Sequence, residues 1–474
     1  MKINDITKIL FVLTIMLFIT ITGCKVGPDY TPIETTIPDV WHETLLQGNT
    51  ASSQSVHTWW QQLNDPILNQ LIAQADDQNL NLKEAIERIA ASRARRGITA
   101  GAAIPTLDSR GSYQRTDKNF FSPYDDGKEA NINDLSIDCS WEIDLFGRIA
   151  RSVESADASL QATIEDYRDV KVSLYSEVAI NYIQYRTLQQ RMVYANNNIT
   201  TQKAAVKLTR DRLKAGVSGD LDVAQAETNL SRSKAFIPDL TQNKMRVLNR
   251  LCTLLGKHPG TLYPLINKGD AMPAVAAEMT SGLATNLIRQ RPDIRKAERR
   301  IASQSAQIGV ATSELYPRFS LSGTFAITSD GISGDSADAT AWGPLFSWNL
   351  FNGSRTKNNI KQQEAILAQY IYQYEHLILS ALEQSQNNIT AFNSENQKHE
   401  TLTHSVASAK RTESLVQTLY TTGLTSFLNV LEAQRTSFTV QDELAQSEGK
   451  IIINLIELYR SLGGGWDYRT DAAQ

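Results

Sequence analysis

The sequence predicts an α+β membrane protein in which each chain supplies four transmembrane β-strands carried on unusually long helices, the whole plan occurring twice. Three observations predict it. Residues 148–215 and 354–422 run 68 and 69 residues without a glycine or a proline. Segments of about ten residues that alternate strictly between apolar and polar types lie just ahead of each run, as half-exposed strands do. The chain also matches itself in order over most of its length.

At an offset of 212, Ala85, Arg88, Ile89, Ala90, Ala94, Gly97, Pro105 and Gly111 meet Ala297, Arg300, Ile301, Ala302, Ala306, Gly309, Pro317 and Gly323. At an offset of 207, Trp141, Arg148, Gly216, Leu221, Val223, Ala226, Leu251, Leu255 and Gly256 meet Trp348, Arg355, Gly423, Leu428, Val430, Ala433, Leu458, Leu462 and Gly463. The change of offset falls in the loops between strands. Repeat 1 is therefore assigned to 65–280 and repeat 2 to 281–466, followed by a tail at 467–474.

Residues 1–23 have the layout of a secretory signal: Lys2 and Lys8, an apolar-plus-Thr run from Ile9 to Ile21, then Thr22 and Gly23 before Cys24. The h-region is too short to span a bilayer. Small residues before a cysteine resemble a bacterial lipobox, with Ile21 where leucine is commonest. Cleavage there would leave Cys24 lipidated, the plainer reading being an ordinary signal with an incidental cysteine. Lys25 rather than Asp after Cys24 is compatible with sorting to the outer membrane. Residues 24–64 are read as an extended segment.

Each repeat opens with an amphipathic helix. Leu68, Leu71, Ile72, Ala75, Leu82, Ala85, Ile86, Ile89 and Ala90 recur at steps of three and four, which predicts one helix ending before Pro105. In repeat 2 the helix is expected over 291–314, with Pro292 in its first turn and Asp293 at its positive end. Strands follow. LSIDCSWEID (135–144) and FSLSGTFAIT (319–328) alternate cleanly, 106–117 and 341–350 more weakly, giving hairpins 106–144 and 317–350 with polar loops. A soluble sandwich could use such strands. In lipid, four strands of ~9–11 residues form a span only if their edges are closed. One chain cannot close them. Two would enclose a lumen already filled by side chains, and three a twelve-stranded barrel with an open lumen.

The uninterrupted stretches, if helical, are each about 100 Å long at 1.5 Å per residue. They turn at Gly216 and Gly423 and return over 220–255 and 425–462. Pro238 and Gly449 predict kinks or breaks in the returns. Cys139 lies in a strand and Cys252 on a return helix that regains only ~50 Å, so the two are expected to stay unpaired, a disulfide needing Cα atoms within about 7 Å.

Composition excludes more than it assigns. A net charge of -4 leaves no basic footprint for nucleic acid. No CxxC, HExxH, GxSxG or Walker-type loop occurs and the six histidines lack metal-ligand spacing, so neither an enzyme nor a cofactor is expected.

The motifs CKVGPDYTP (24–32), TWWQQLNDPILNQLIAQADDQNLNL (58–82), WEIDLFGR (141–148), RQRPDIRKAERRIASQSAQIGVATSELYPRFSLSG (289–323), FLNVLEAQR (427–435) and LYRSLGGGW (458–466) resemble the TolC-like outer-membrane efflux proteins, in particular the OprM/NodT-like lipoprotein branch. The resemblance covers nearly the whole mature chain. It implies a homotrimer with a twelve-stranded barrel in outer-membrane lipid, a twelve-helix periplasmic α-barrel and an equatorial belt. It also implies a periplasmic adaptor and an inner-membrane transporter of the resistance-nodulation-division type as partners, the channel itself being passive. A protein-secretion duct or a pore-free coiled-coil lipoprotein are the competing readings.

Leu428, Glu432 and Arg435 share one helical face at i, i+4 and i+7. By resemblance the leucine and the acid form constrictions at the closed periplasmic end and the arginine helps hold them, with Glu here where Asp is commoner. From spacing alone, Glu432 and Arg435 equally make an exposed i, i+3 pair. Repeat 1 offers Leu221 and Gln225 instead, and Asp220 and Asp222 stabilise a helix start. Gly216 and Gly423 read as C′ residues with positive φ and, by resemblance, shape the adaptor-contacting turns. Six methionines, two of them in the signal segment, supply no methionine-rich path that would single out copper or silver as cargo.

Overall fold

The computed structural model describes residues 25–33, 37–38, 41–42, 56–116, 130–266, 272–273, 285–330 and 336–466. Cys24, the signal segment, most of both hairpin loops and the tail 467–474 lie outside them. In chain order the elements are α1 (Pro66–Gln78), α2 (Leu80–Gly101), β1 (Thr106–Thr116), β2 (Ala130–Ile143), α3 (Arg148–Lys214), α4 (Asp220–Leu254), α5 (Pro292–Ser313), β3 (Arg318–Asp330), β4 (Ser336–Ser347), α6 (Arg355–Thr421) and α7 (Phe427–Ser461). Short 3-10 helices at Trp59–Leu63 and Thr285–Gln290 precede α1 and α5. The two compact units cut across the boundaries 65–280 and 281–466 expected from the sequence. One unit is built from Arg88–Ile164 and Lys296–Glu375 with the N-terminal segment, the other from Thr35–Glu87, Glu165–Arg295 and His376–Gln474, so each takes elements from both expected repeats.

In the first unit the four strands form one antiparallel sheet in the order β1-β2-β3-β4. Thr106 faces Ser140 and Arg318 faces Ser347, pairs that the offsets 212 and 207 convert into one another. Between the hairpins Cys139 faces Gly323 and Ile143 faces Phe319. The polar face is cross-linked by hydroxyl donors: Thr324 donates to Asp138 (2.8 Å) and Thr328 to Asp134 (2.7 Å). Strand β4 stops at Ser347, three residues short of the expected 350.

The same unit explains the motif at 24–32. Arg151 of α3, whose side chain is 1% exposed, donates to the carbonyls of Val26 (3.1 Å) and Gly27 (3.2 Å), to Asp29 (2.8 Å) and to Glu154 (3.0 Å). Gly27 sits at φ +88°, where a Cβ would come within 2.5 Å of the Gly309 Cα. Tyr30 donates to Glu298 (2.9 Å) under the Arg299 guanidinium. Burial first, then the Glu298 carboxylate, raises the Tyr30 pKa. The segment is thus an extended strap held by a buried arginine.

In the second unit the guanidinium groups of Arg168 (4.6 Å) and Arg295 (5.5 Å) both lie over the Trp466 ring. Both arginines also donate to Glu165, at 2.8 and 2.9 Å. A Cβ on Gly464 would meet the Val56 carbonyl at 2.7 Å, so part of the glycine run before Trp466 is steric.

One helix expectation is corrected, and of the kinks or breaks expected at Pro238 and Gly449 the breaks do not occur. The helix predicted through 68–90 is two helices, because Asn79 is extended (ψ 128°). Its Oδ1 accepts from the Leu82 N–H (2.9 Å) and its Nδ2 donates to the Leu254 carbonyl (2.7 Å), bonds that compensate the broken ladder. Pro238 does not break α4. Lys234 and Pro238 are both exposed, so water reaches the carbonyl left without a donor, while Leu240 and Phe236 pack against Leu188 and Ala195. Nor does Gly449 interrupt α7. A Cβ there would lie 2.0 Å from the Thr187 hydroxyl, so the glycine permits a close helix contact.

Candidate functional site

At the helix turns, Gly216 (φ +72°) ends α3 and Gly423 (φ +81°) ends α6. The Val217 N–H reaches the Arg212 carbonyl (3.0 Å) and the Leu424 N–H the Leu419 carbonyl (2.8 Å), the six-residue closure of a Schellman motif. Nothing lies within 4 Å of a Cβ built at either glycine, so the demand is on φ alone. The return helices close the same way at Gly256 and Gly463, through Lys257 to Cys252 (2.8 Å) and Gly464 to Tyr459 (2.8 Å). At those ends Asn79 donates to the Leu254 carbonyl and Arg291 to that of Ser461, both at 2.7 Å. These contacts interconvert under the two offsets. So do the donations of Trp141 to the Ala103 carbonyl and Trp348 to that of Leu315, both 3.0 Å.

Beside the turns, Tyr420 and Phe427 form a buried core with Ala205, Val206, Ala226 and Val430. A polar clasp covers it. Tyr420 donates its hydroxyl to Asp222 (3.1 Å), and Arg212 lies over the Tyr420 ring (4.8 Å) while donating to the carbonyls of Tyr420 and Thr421, each at 3.1 Å. Burial first, then Asp222, raises the Tyr420 pKa. The clasp joins α3 and α4 to α6. Sequence reasoning assigned Asp222 only to the helix start and missed Arg212 and Tyr420. The signal was available in the repeat, since the equivalents of Arg212, Asp222 and Tyr420 are Leu419, Asn429 and Leu213.

Leu428, Glu432 and Arg435 lie together on the exposed face of α7, opposite the buried Phe427, Val430, Gln434 and Ser437. Leu428 is 61% exposed. Among the described residues no ion pair joins Glu432 to Arg435, so the surface pair allowed by their spacing is not formed. Leu221, the equivalent of Leu428, is also exposed, and Gln225 is half-buried.

The sheet presents a second candidate surface. Leu107, Leu135, Ile137, Trp141, Leu321, Phe325, Trp342 and Phe346 fall on one face in register and are exposed, Trp342 by 82%. An apolar face of this extent on a monomer marks a membrane or an interface. Cys139 is free and exposed on that face and Cys252 is free and buried.

A model of the outer membrane efflux protein family matches residues 71–257 and 283–464. The chain belongs to the outer membrane efflux protein family. It is 32% identical over 432 residues to nodulation protein T of Rhizobium leguminosarum bv. trifolii, covering 90% of this chain and 91% of that protein. It is 29% identical to the toluene efflux pump outer membrane protein TtgI of Pseudomonas putida, covering 94% and 96%. Its fold matches the outer-membrane channel OprN with a TM-score of 0.86 at 34% identity, covering 94% of this chain and all of that one. The fold is that of a TolC-like outer-membrane channel, and the protein is an efflux component of the outer membrane that extends into the periplasm.

Proposed function

We propose that three copies of the chain close a twelve-stranded barrel in the outer membrane, continuous with a periplasmic barrel of twelve helices. The assembly is the passive exit duct of a tripartite efflux pump. Drugs or other small toxic compounds reach it from an inner-membrane transporter of the resistance-nodulation-division type through a periplasmic adaptor. Energy comes from the transporter, and the chain itself carries no catalytic step. The observation that carries this reading is the open four-stranded sheet with one exposed apolar face. Such a sheet cannot stand in lipid with its edges unpaired, and three copies are the smallest closed set that leaves a lumen.

Within this duct, Leu428, Glu432 and Arg435 form the periplasmic gate, and the turns at Gly216 and Gly423 form the adaptor-contacting surface. Support for the gate is that these three side chains share an exposed face of α7 and that, among the described residues, no ion pair joins Glu432 to Arg435. Threefold symmetry would bring three Glu432 carboxylates together, where like charges must be paired or partly protonated, and Arg435 is a cation three residues on along the same face. Cys24 carries the lipid anchor. Insertion of the purified protein into planar bilayers tests the reading. Discrete single-channel conductance steps are expected, and their absence in a folded preparation would remove the duct.

A further inference from the structure

The free edges of the sheet fix how neighbouring copies meet, residue by residue. This step rests on the reading that several copies close one barrel. Within a chain the two hairpins are related by the offsets 212 for β1 to β3 and 207 for β2 to β4. Both hairpin registers obey them. The hairpins join through β2 and β3, where Asp138 faces Thr324 and Cys139 faces Gly323. Strands β4 and β1 are the edges left over.

One irregularity shows what β4 lacks. Strand β2 continues past Ser140, the last residue that β1 holds, because β3 pairs with Trp141, Glu142 and Ile143. The equivalent residues of β4 are Trp348, Asn349 and Leu350. Strand β4 instead ends at Ser347, opposite Arg318, with Trp348 and Leu350 exposed. They alternate as a strand, but among the described residues no strand pairs with them.

We infer that β4 of one copy pairs with β1 of the next in the register of the β2–β3 junction, Leu345 facing Ser112 and Phe346 facing Gly111, and that β4 thereby extends to Leu350. The pairs follow by carrying Asp138–Thr324 and Cys139–Gly323 across the offsets. Two independent features agree. This register sets Tyr113 opposite Pro344 and Phe346 opposite Gly111, keeping apolar residues of both copies on the exposed apolar face, whereas a slip of one residue would reverse the faces. It also covers Gly111, whose Cβ position has no contact closer than 3.8 Å, with an aromatic ring.

Cysteine pairs test the register in the full-length protein carrying Cys139→Ser. Ser112→Cys with Leu345→Cys is the predicted pair. Ser112→Cys with Gly343→Cys, and with Ser347→Cys, are slips of two residues on the same face. Within a chain these positions are three strand spacings apart, about 14 Å, so disulfides can form only between copies. Oxidation of membranes should link the predicted pair into dimers and trimers on non-reducing gels, about tenfold more efficiently than either slipped pair. Preferential linkage of a slipped pair, or linkage of none in a protein whose native mass is trimeric, overturns the register. A monomeric native mass instead removes the closed barrel on which it rests.

Discussion

Tyr420→Phe isolates the hydroxyl of the clasp. The phenylalanine keeps the ring, 3% exposed, against Phe427 at 5.3 Å and beneath Arg212 at 4.8 Å. What is lost is the bond to Asp222 (3.1 Å), worth about 1 kcal/mol, or roughly fivefold in the equilibrium between clasped and unclasped turns. Tyr420→Ala also empties the core and should cost about 3–5 kcal/mol. Hydrogen exchange read by mass spectrometry across 416–431 measures both: about fivefold faster exchange for Tyr420→Phe and a collapse of protection for Tyr420→Ala. The pH dependence follows from the direction of the Tyr420 shift. A pKa raised on folding gives stability that is complete below the unfolded value, near ~10, and that is lost as pH rises through the folded value. The Tyr420 contribution should therefore be flat from about pH 6 to 9 and fall only above ~10. Exchange in Tyr420→Phe matching the parent at neutral pH would refute the clasp.

Other predictions act elsewhere. Glu432→Ala or Arg435→Ala should raise single-channel conductance or admit bulky antibiotics, and unchanged conductance and exclusion in both would return the pair to an ordinary solvated surface. Gly423→Ala should cost only the left-handed backbone, about 1 kcal/mol. Gly256→Ala should lower the thermal midpoint further, because its Cβ would sit 2.5 Å from the Gln78 carbonyl. Arg151→Met should free the strap, seen as faster limited proteolysis within 26–33 while the helices stay protected.

Much of the architecture was legible because it rests on periodicity and punctuation. The stretches 148–215 and 354–422 became Arg148–Lys214 and Arg355–Thr421, since nothing between their bounding glycines can end a helix. The misread places depend on tertiary partners. Asn79 lies within a helical apolar period, and only the Leu254 carbonyl beside it makes a break favourable. Pro238 and Gly449 look like interruptions until exposure at one and the Thr187 contact at the other are known. The alternation through Trp348 and Leu350 is a strand signal, yet a single chain leaves it without a neighbour. At the turns, spacing alone placed Leu428, Glu432 and Arg435 on one face, whereas the clasp joins residues up to 209 positions apart and shows in the sequence only as differences between the two copies.

The proposed duct exists only if several chains complete one barrel. Native mass spectrometry of the protein released from outer membranes in mild detergent tests this most directly. A mass of three chains is predicted, and a folded monomer or dimer as the sole species would contradict it.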